Sequence, residues 1–124
     1  MRESINNAEI WYVYTFSSRL RKGDGIMGKL ERDFQSKLIK ELKDIFKDCL
    51  VMKLDSSYIQ GIPDLLILFK DKWATLECKK NASAHKQPNQ EYYVGKMNEM
   101  SFSRFICPEN KEEVLYELQK SFKA

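Results

Sequence analysis

The chain has 124 residues, enough for one small domain around a single core. Hydrophobic residues make up 43% and charged residues 31%; no apolar run nears the ~20 residues that cross a bilayer, and residues 1–7 lack the apolar centre of a secretory signal, so an intracellular protein is expected. The net charge of +3, from 21 basic and 18 acidic residues, is too small an excess to argue nucleic-acid binding by itself.

Residues 1–26 differ from the rest. Residues 8–16 are aromatic and β-prone, and residues 19–25 are basic and glycine-containing, which suits an extra strand and a DNA-contacting arm. A second reading is a translated leader. Lys22-Gly23-Asp24 can be encoded by purine-rich codons that spell a bacterial ribosome-binding sequence, and Met27 follows at a start-codon spacing.

From 29 to 47 the pattern is helical, with Leu30, Phe34, Leu38, Leu42 and Ile45 at three- and four-residue steps and Ile39 and Phe46 widening the stripe. Glu31 falls at the start of this helix, where a charge facing the helix dipole is one reading and a ligand role the other. Residues 49–54 read as a first strand, and 55–62 as a loop ending at Pro63, whose missing amide suits the start of a strand. Gly61 lets the backbone turn closely there.

The run Leu65-Leu66-Ile67-Leu68-Phe69 is unbroken apolar, the mark of a strand buried on both faces. Lys70-Asp71-Lys72 reads as a tight turn, and residues 73–79 as the returning strand. Residues 80–89 are polar and aperiodic, a loop. Pro88 suits the first turn of a helix reaching about Met100, with Tyr93, Met97 and Met100 inward. Residues 101–107 form a last strand broken by Pro108, and residues 111–122 a closing helix with Val114, Leu115, Leu118 and Phe122 apolar. Short loops imply antiparallel hairpins, and the helix before the last strand permits a parallel crossover. The expected fold is α/β, a mixed four-stranded sheet flanked by helices in the order α-β-β-β-α-β-α.

Three cysteines, an odd number, do not suggest a disulfide framework, and Cys49, Cys78 and Cys107 read as small buried hydrophobes. A zinc site from these three and His85 lacks the paired CxxC spacing.

The informative residues are Asp64, Glu77 and Lys79. Glu77 stands thirteen positions after Asp64, and both acids sit in or beside apolar strands where folding alone does not ask for charge. Strand alternation puts Glu77 and Lys79 on one face and Cys78 on the other. Two acids on one sheet face repel unless a cation joins them, and hard divalent cations take such oxygen ligands. The plainer readings are a turn aspartate after proline and a solvent-facing strand glutamate. Lys70, Lys72, Lys79, Lys80, Lys86 and Lys96 lie in or near this stretch and read as candidate contacts for a phosphate backbone, against the plainer view of solubilising lysines. Tyr92 and Tyr93 could stack bases, with Tyr93 packed inward and Tyr92 open. His85, alone in a polar loop, reads as surface.

Pro63-Asp64…Glu77-Cys78-Lys79 resembles the PD-(D/E)XK signature of metal-dependent nucleases. Glu31 on a preceding helix, and Gln87 and Gln90 before a second helix, extend the likeness, which is nearest to small stand-alone VRR-NUC proteins of bacterial viruses and covers about residues 27–118, roughly three-quarters of the chain. The resemblance implies a restriction-endonuclease-like core and Mg2+ or Mn2+ held by Asp64, Glu77, the Cys78 backbone carbonyl and Glu31. It further implies Lys79 orienting the attacking water, Gln90 or Gln87 positioning Lys79 or the phosphate, and Lys80, Lys86, Gln87, Lys70 and Lys72 on DNA. The expected activity is structure-specific cutting of branched DNA such as Holliday junctions, in a homodimer, in the cytoplasm of a bacterial host. The alternatives are a non-specific or nicking nuclease and a catalytically silent DNA-binding domain of the same fold.

Overall fold

A computed structural model describes residues 26–123. The expectations of an extra strand, an arm or a leader over residues 1–25 lie outside that range.

The elements are α1 (Ile26–Ile45), β1 (Leu50–Lys53), β2 (Leu65–Phe69), β3 (Lys72–Cys78), α2 (Pro88–Met100), β4 (Ser103–Ile106) and α3 (Lys111–Lys123). The four strands form one mixed sheet in the order β1-β2-β3-β4, antiparallel except for the parallel β3–β4 pair. A two-residue turn joins β2 to β3, with Phe69 opposite Lys72 and Lys70 at a left-handed φ of 57°. The helical α2 supplies the crossover that a parallel pair requires.

The two faces of the sheet differ in chemistry. On one, Val51, Leu65, Ile67, Ala74, Leu76, Cys78 and Ile106 pack with Leu38 and Leu42 of α1 and Val114, Leu115, Leu118 and Phe122 of α3. Phe46 stands edge-on to Phe122 with ring centroids 5.1 Å apart, and Phe69 stacks on Phe122 at 5.6 Å, closing this core at the turn end of the β2–β3 hairpin. Lys111 Nζ reaches Glu41 at 2.7 Å and ties α3 to α1. On the other face α2 lies over β3 and β4. Beneath it are polar side chains: Thr75 Oγ1 donates to Ser103 Oγ at 2.7 Å, and Thr75 also meets Met97 Sδ.

Two helix ends depart from the expected stripes. Leu30 is 52% exposed and Met100 66% exposed, because both lie near helix ends; Val94, with Met97, takes the inward place on α2. The helix α1 begins at least as early as Ile26, so Glu31 sits in its second turn and a first-turn dipole role does not apply. Among the described residues no helix is long and apolar enough to cross a membrane.

Candidate active site

The site forms where the β2–β3 hairpin opens. Asp64 directly precedes β2, and its Oδ2 accepts a hydrogen bond from the Cys78 amide at 2.9 Å, so the carboxylate pins the start of one strand to the end of the next. Extended backbone sends a residue's carbonyl to the same side as its amide, which turns the Cys78 carbonyl toward the Asp64 side of β3. The Cys78 side chain goes into the core, and its neighbours Glu77 and Lys79 point to the α2 face.

One side chain from α2 joins that pair. Gln90 Nε2 donates to Glu77 Oε2 at 2.8 Å, and Lys79 Nζ donates to Gln90 Oε1 at 2.7 Å. The ammonium also donates to the His85 carbonyl at 2.9 Å, and the Gln87 amide donates to Gln90 Oε1 at 3.0 Å, capping α2. Of the two glutamines, Gln90 therefore bridges Lys79 and Glu77, while Gln87 serves as the helix N-cap. Pro88 at the first helical position fixes that start.

These charged groups are nearly out of water: Asp64 is 8% exposed, Glu77 2% and Lys79 9%. Glu77 Oε1 is buried with no hydrogen-bond partner. Burial first, then the charge of Asp64 and, less, that of Glu31 push the Glu77 carboxyl up to about 10, against the pull of Lys79 and the Asp64 amide. Burial and the three surrounding acids push the Cys78 thiol up as well, so it stays protonated and structural. Glu31 is half-buried on α1 with its field reaching both Glu77 and Cys78, so the structure brings it to the same region as the acid pair.

The acids open onto a cavity of about 870 Å3. Asp55, Ser56, Gln60, Gly61 and Ile62 form one wall, Gln87, Pro88 and Asn89 the other, and Asp64 and Glu77 lie at its base. Gly61 has a left-handed φ of 90°, and a Cβ there would stand 2.4 Å from that of Asn89. The absence of a side chain at Gly61 lets the two walls meet.

Other expected residues fall differently. Lys86 is exposed and stands 4.9 Å over the Phe105 ring, next to the strand position opposite Glu77; Lys80 is half-buried just after Lys79. Lys70 and Lys72 do not belong to the site. Lys70 lies in the hairpin turn and Lys72 opens β3, at the far end of strands whose open end carries Asp64 and Glu77, about 17 Å away at ~3.3 Å per residue. The three cysteines are buried thiols, His85 is exposed, and no cluster of three His, Cys, Asp or Glu side chains is set to hold an ion among the described residues.

Two residues near the site were not expected from the sequence. Lys53 lies opposite Leu65, on the core face, and burial pulls its ammonium down to about 7 against the fields of Cys78 and Asp64. Its spacing of two from Val51 was the available signal. Gln35 is fully buried one turn after Glu31, beside the Cys78 thiol, with neither amide atom in a hydrogen bond of normal geometry.

Comparison with protein-family models, curated proteins and solved structures finds no match to this chain.

Proposed function

We propose that the chain is a metal-dependent endonuclease with a restriction-endonuclease-like core, hydrolysing phosphodiester bonds in DNA. The observation that carries this reading is the hydrogen-bonded row Lys79–Gln90–Glu77, buried beside Asp64, with Asp64, Glu77 and Gln90 lining one cavity. Folding gains little from sinking two acids and an ammonium, since desolvation offsets their attraction. A site that handles a charged substrate has a use for them.

The donor set fits a hard divalent cation. Asp64, Glu77 and the Cys78 carbonyl offer oxygens, Glu31 adds negative charge nearby, and the unpartnered Glu77 Oε1 is what a cation would satisfy. Mg2+ keeps several waters and needs few protein ligands, which agrees with two carboxylates rather than a full cage. When bound, such an ion supplies Lewis-acid polarisation of the phosphoryl group and a more acidic water.

The side chains divide the remaining work. Lys79, held by Gln90 and the His85 carbonyl, presents its third N–H to the attacking water and to negative charge developing on the phosphoryl oxygens. Gln90 fixes the spacing between Lys79 and Glu77, so neither swings away when substrate enters. Lys86, at the α2 entrance, contacts the DNA backbone.

Branched DNA is the favoured substrate in this reading, inside a bacterial cell. A two-fold dimer would place two sites on one junction. A monomeric mass at micromolar concentration would count against the dimer. The activity is tested by incubating the protein with branched and linear duplexes in Mg2+, Mn2+ or EDTA. Metal-dependent cutting of the branched form, lost in Asp64→Ala and Lys79→Ala, is expected. Binding without cutting would leave a silent DNA-binding domain, and cutting unaffected by Asp64→Ala would reject the site.

A further inference from the structure

The helix that carries Gln90 also carries a stripe that the chemistry above does not use. Asn89, Tyr92, Tyr93 and Lys96 recur at three- and four-residue steps, so they line one side of α2. Asn89 forms part of the cavity wall, so the stripe's first residue lines the same cavity as Asp64 and Glu77. Tyr92 is 58% exposed although it is large and aromatic. Tyr93, half-buried, meets it edge-on with ring centroids 5.0 Å apart and planes at 81°, which holds the outer ring in place. Lys96 is exposed one turn further on. Glu91 points to the opposite side of the helix, and Glu99 lies two turns beyond Tyr92, away from the cavity.

We propose that Tyr92, braced by Tyr93 and flanked by Lys96, is a stacking platform for an unpaired base next to the phosphate held over Asp64 and Glu77. The proposal rests on the nuclease reading and names its substrate class: a strand with single-stranded character beside the cut, as at a fork, flap or frayed junction. An exposed ring and a lysine one turn apart suit a strand of alternating bases and phosphates, whereas a paired base inside a duplex hides its face from the ring. The platform keeps a fixed distance from the chemistry. Gln90, next in sequence to Asn89, is bonded to both Glu77 and Lys79, and Asn89 is seated against Gly61.

The test uses the full chain and a short single-stranded oligonucleotide carrying 2-aminopurine, in EDTA so that nothing is cut, followed by cleavage with Mg2+ of a flapped and a fully paired duplex of the same sequence. Tyr92→Ala is expected to weaken oligonucleotide binding roughly 5- to 100-fold and abolish the fluorescence change. It should slow cutting of the flapped duplex while leaving the paired duplex unchanged. Tyr92→Phe should behave as the native chain, because the ring rather than the hydroxyl stacks. Thermal melting of the exposed-site variants should match the native chain. Native binding by Tyr92→Ala, or equal losses on both duplexes, would overturn the platform. A protein that cuts no DNA yet binds the oligonucleotide through Tyr92 would sink the nuclease reading and leave the platform standing.

Discussion

The strand β3 presents two faces that obey different rules. Ala74, Leu76 and Cys78 meet α1 and α3 in an apolar core, as burial favours. Thr75, Glu77 and Lys79, one position over, are almost as deeply buried yet polar, and α2 and β4 satisfy them: Met97 of α2 and Ser103 of β4 meet Thr75, and Gln90 of α2 meets Glu77 and Lys79. The first face accounts for the fold. The second costs desolvation, a cost to which the proposed metal and phosphate chemistry would give a use.

Substitutions on the two faces should therefore separate activity from stability. Glu77→Gln keeps the shape and the link to Gln90, so it should lower cutting by ~10^2–10^3-fold or more with melting unchanged or raised. Leu76→Ala should do the reverse, losing about 2–5 kcal/mol in chemical denaturation while the folded fraction cuts normally. Equal loss of stability in both would remove the distinction. Gly61→Ala touches both properties: its left-handed backbone and the Asn89 contact should cost about 1–3 kcal/mol, and moving the start of α2 should slow cutting as well.

The remaining expectation concerns pH. Without metal, folded Glu77 holds its proton to about 10 whereas the unfolded chain releases it near 4.5. The folded state then binds more protons, and its stability falls as pH rises through that range, at most ~1.4 kcal/mol per unit for one proton. Lys53 acts in the opposite sense between about 7 and 10.5, where the unfolded chain binds more protons and stability rises. The two offset above pH 7, so the decline should be concentrated between about 4.5 and 7. Denaturation in EDTA across that range should show the decline in the native chain and not in Glu77→Gln.

Much of this contrast is legible in the residues. The apolar run fixed β2 and Pro88 fixed the start of α2, because each signal is local. Asp64, Glu77 and Lys79 stood out because charge in an apolar strand has no folding explanation. Gln90 could not be separated from Gln87 until the helix start was known, since a shift of one turn exchanges them. Lys70 and Lys72 are near the acids in sequence, but the strands carry them to the far end of the sheet. Lys53 and Gln35 were missed because a lone polar residue in an amphipathic segment ordinarily faces solvent. Only the pairing of β1 with β2, and the approach of α1 to Cys78, turn them inward.

The central claim is that Asp64 and Glu77 jointly hold a divalent cation, and Mn2+ titration followed by electron paramagnetic resonance measures it without DNA. The native chain should bind Mn2+ at millimolar concentration or below, more tightly as pH rises because Glu77 must release its proton. Asp64→Asn and Glu77→Gln should each weaken binding by an order of magnitude or more, while Lys70→Ala at the far turn should not. A native chain that leaves Mn2+ free, or variants that bind it equally well, would contradict the account.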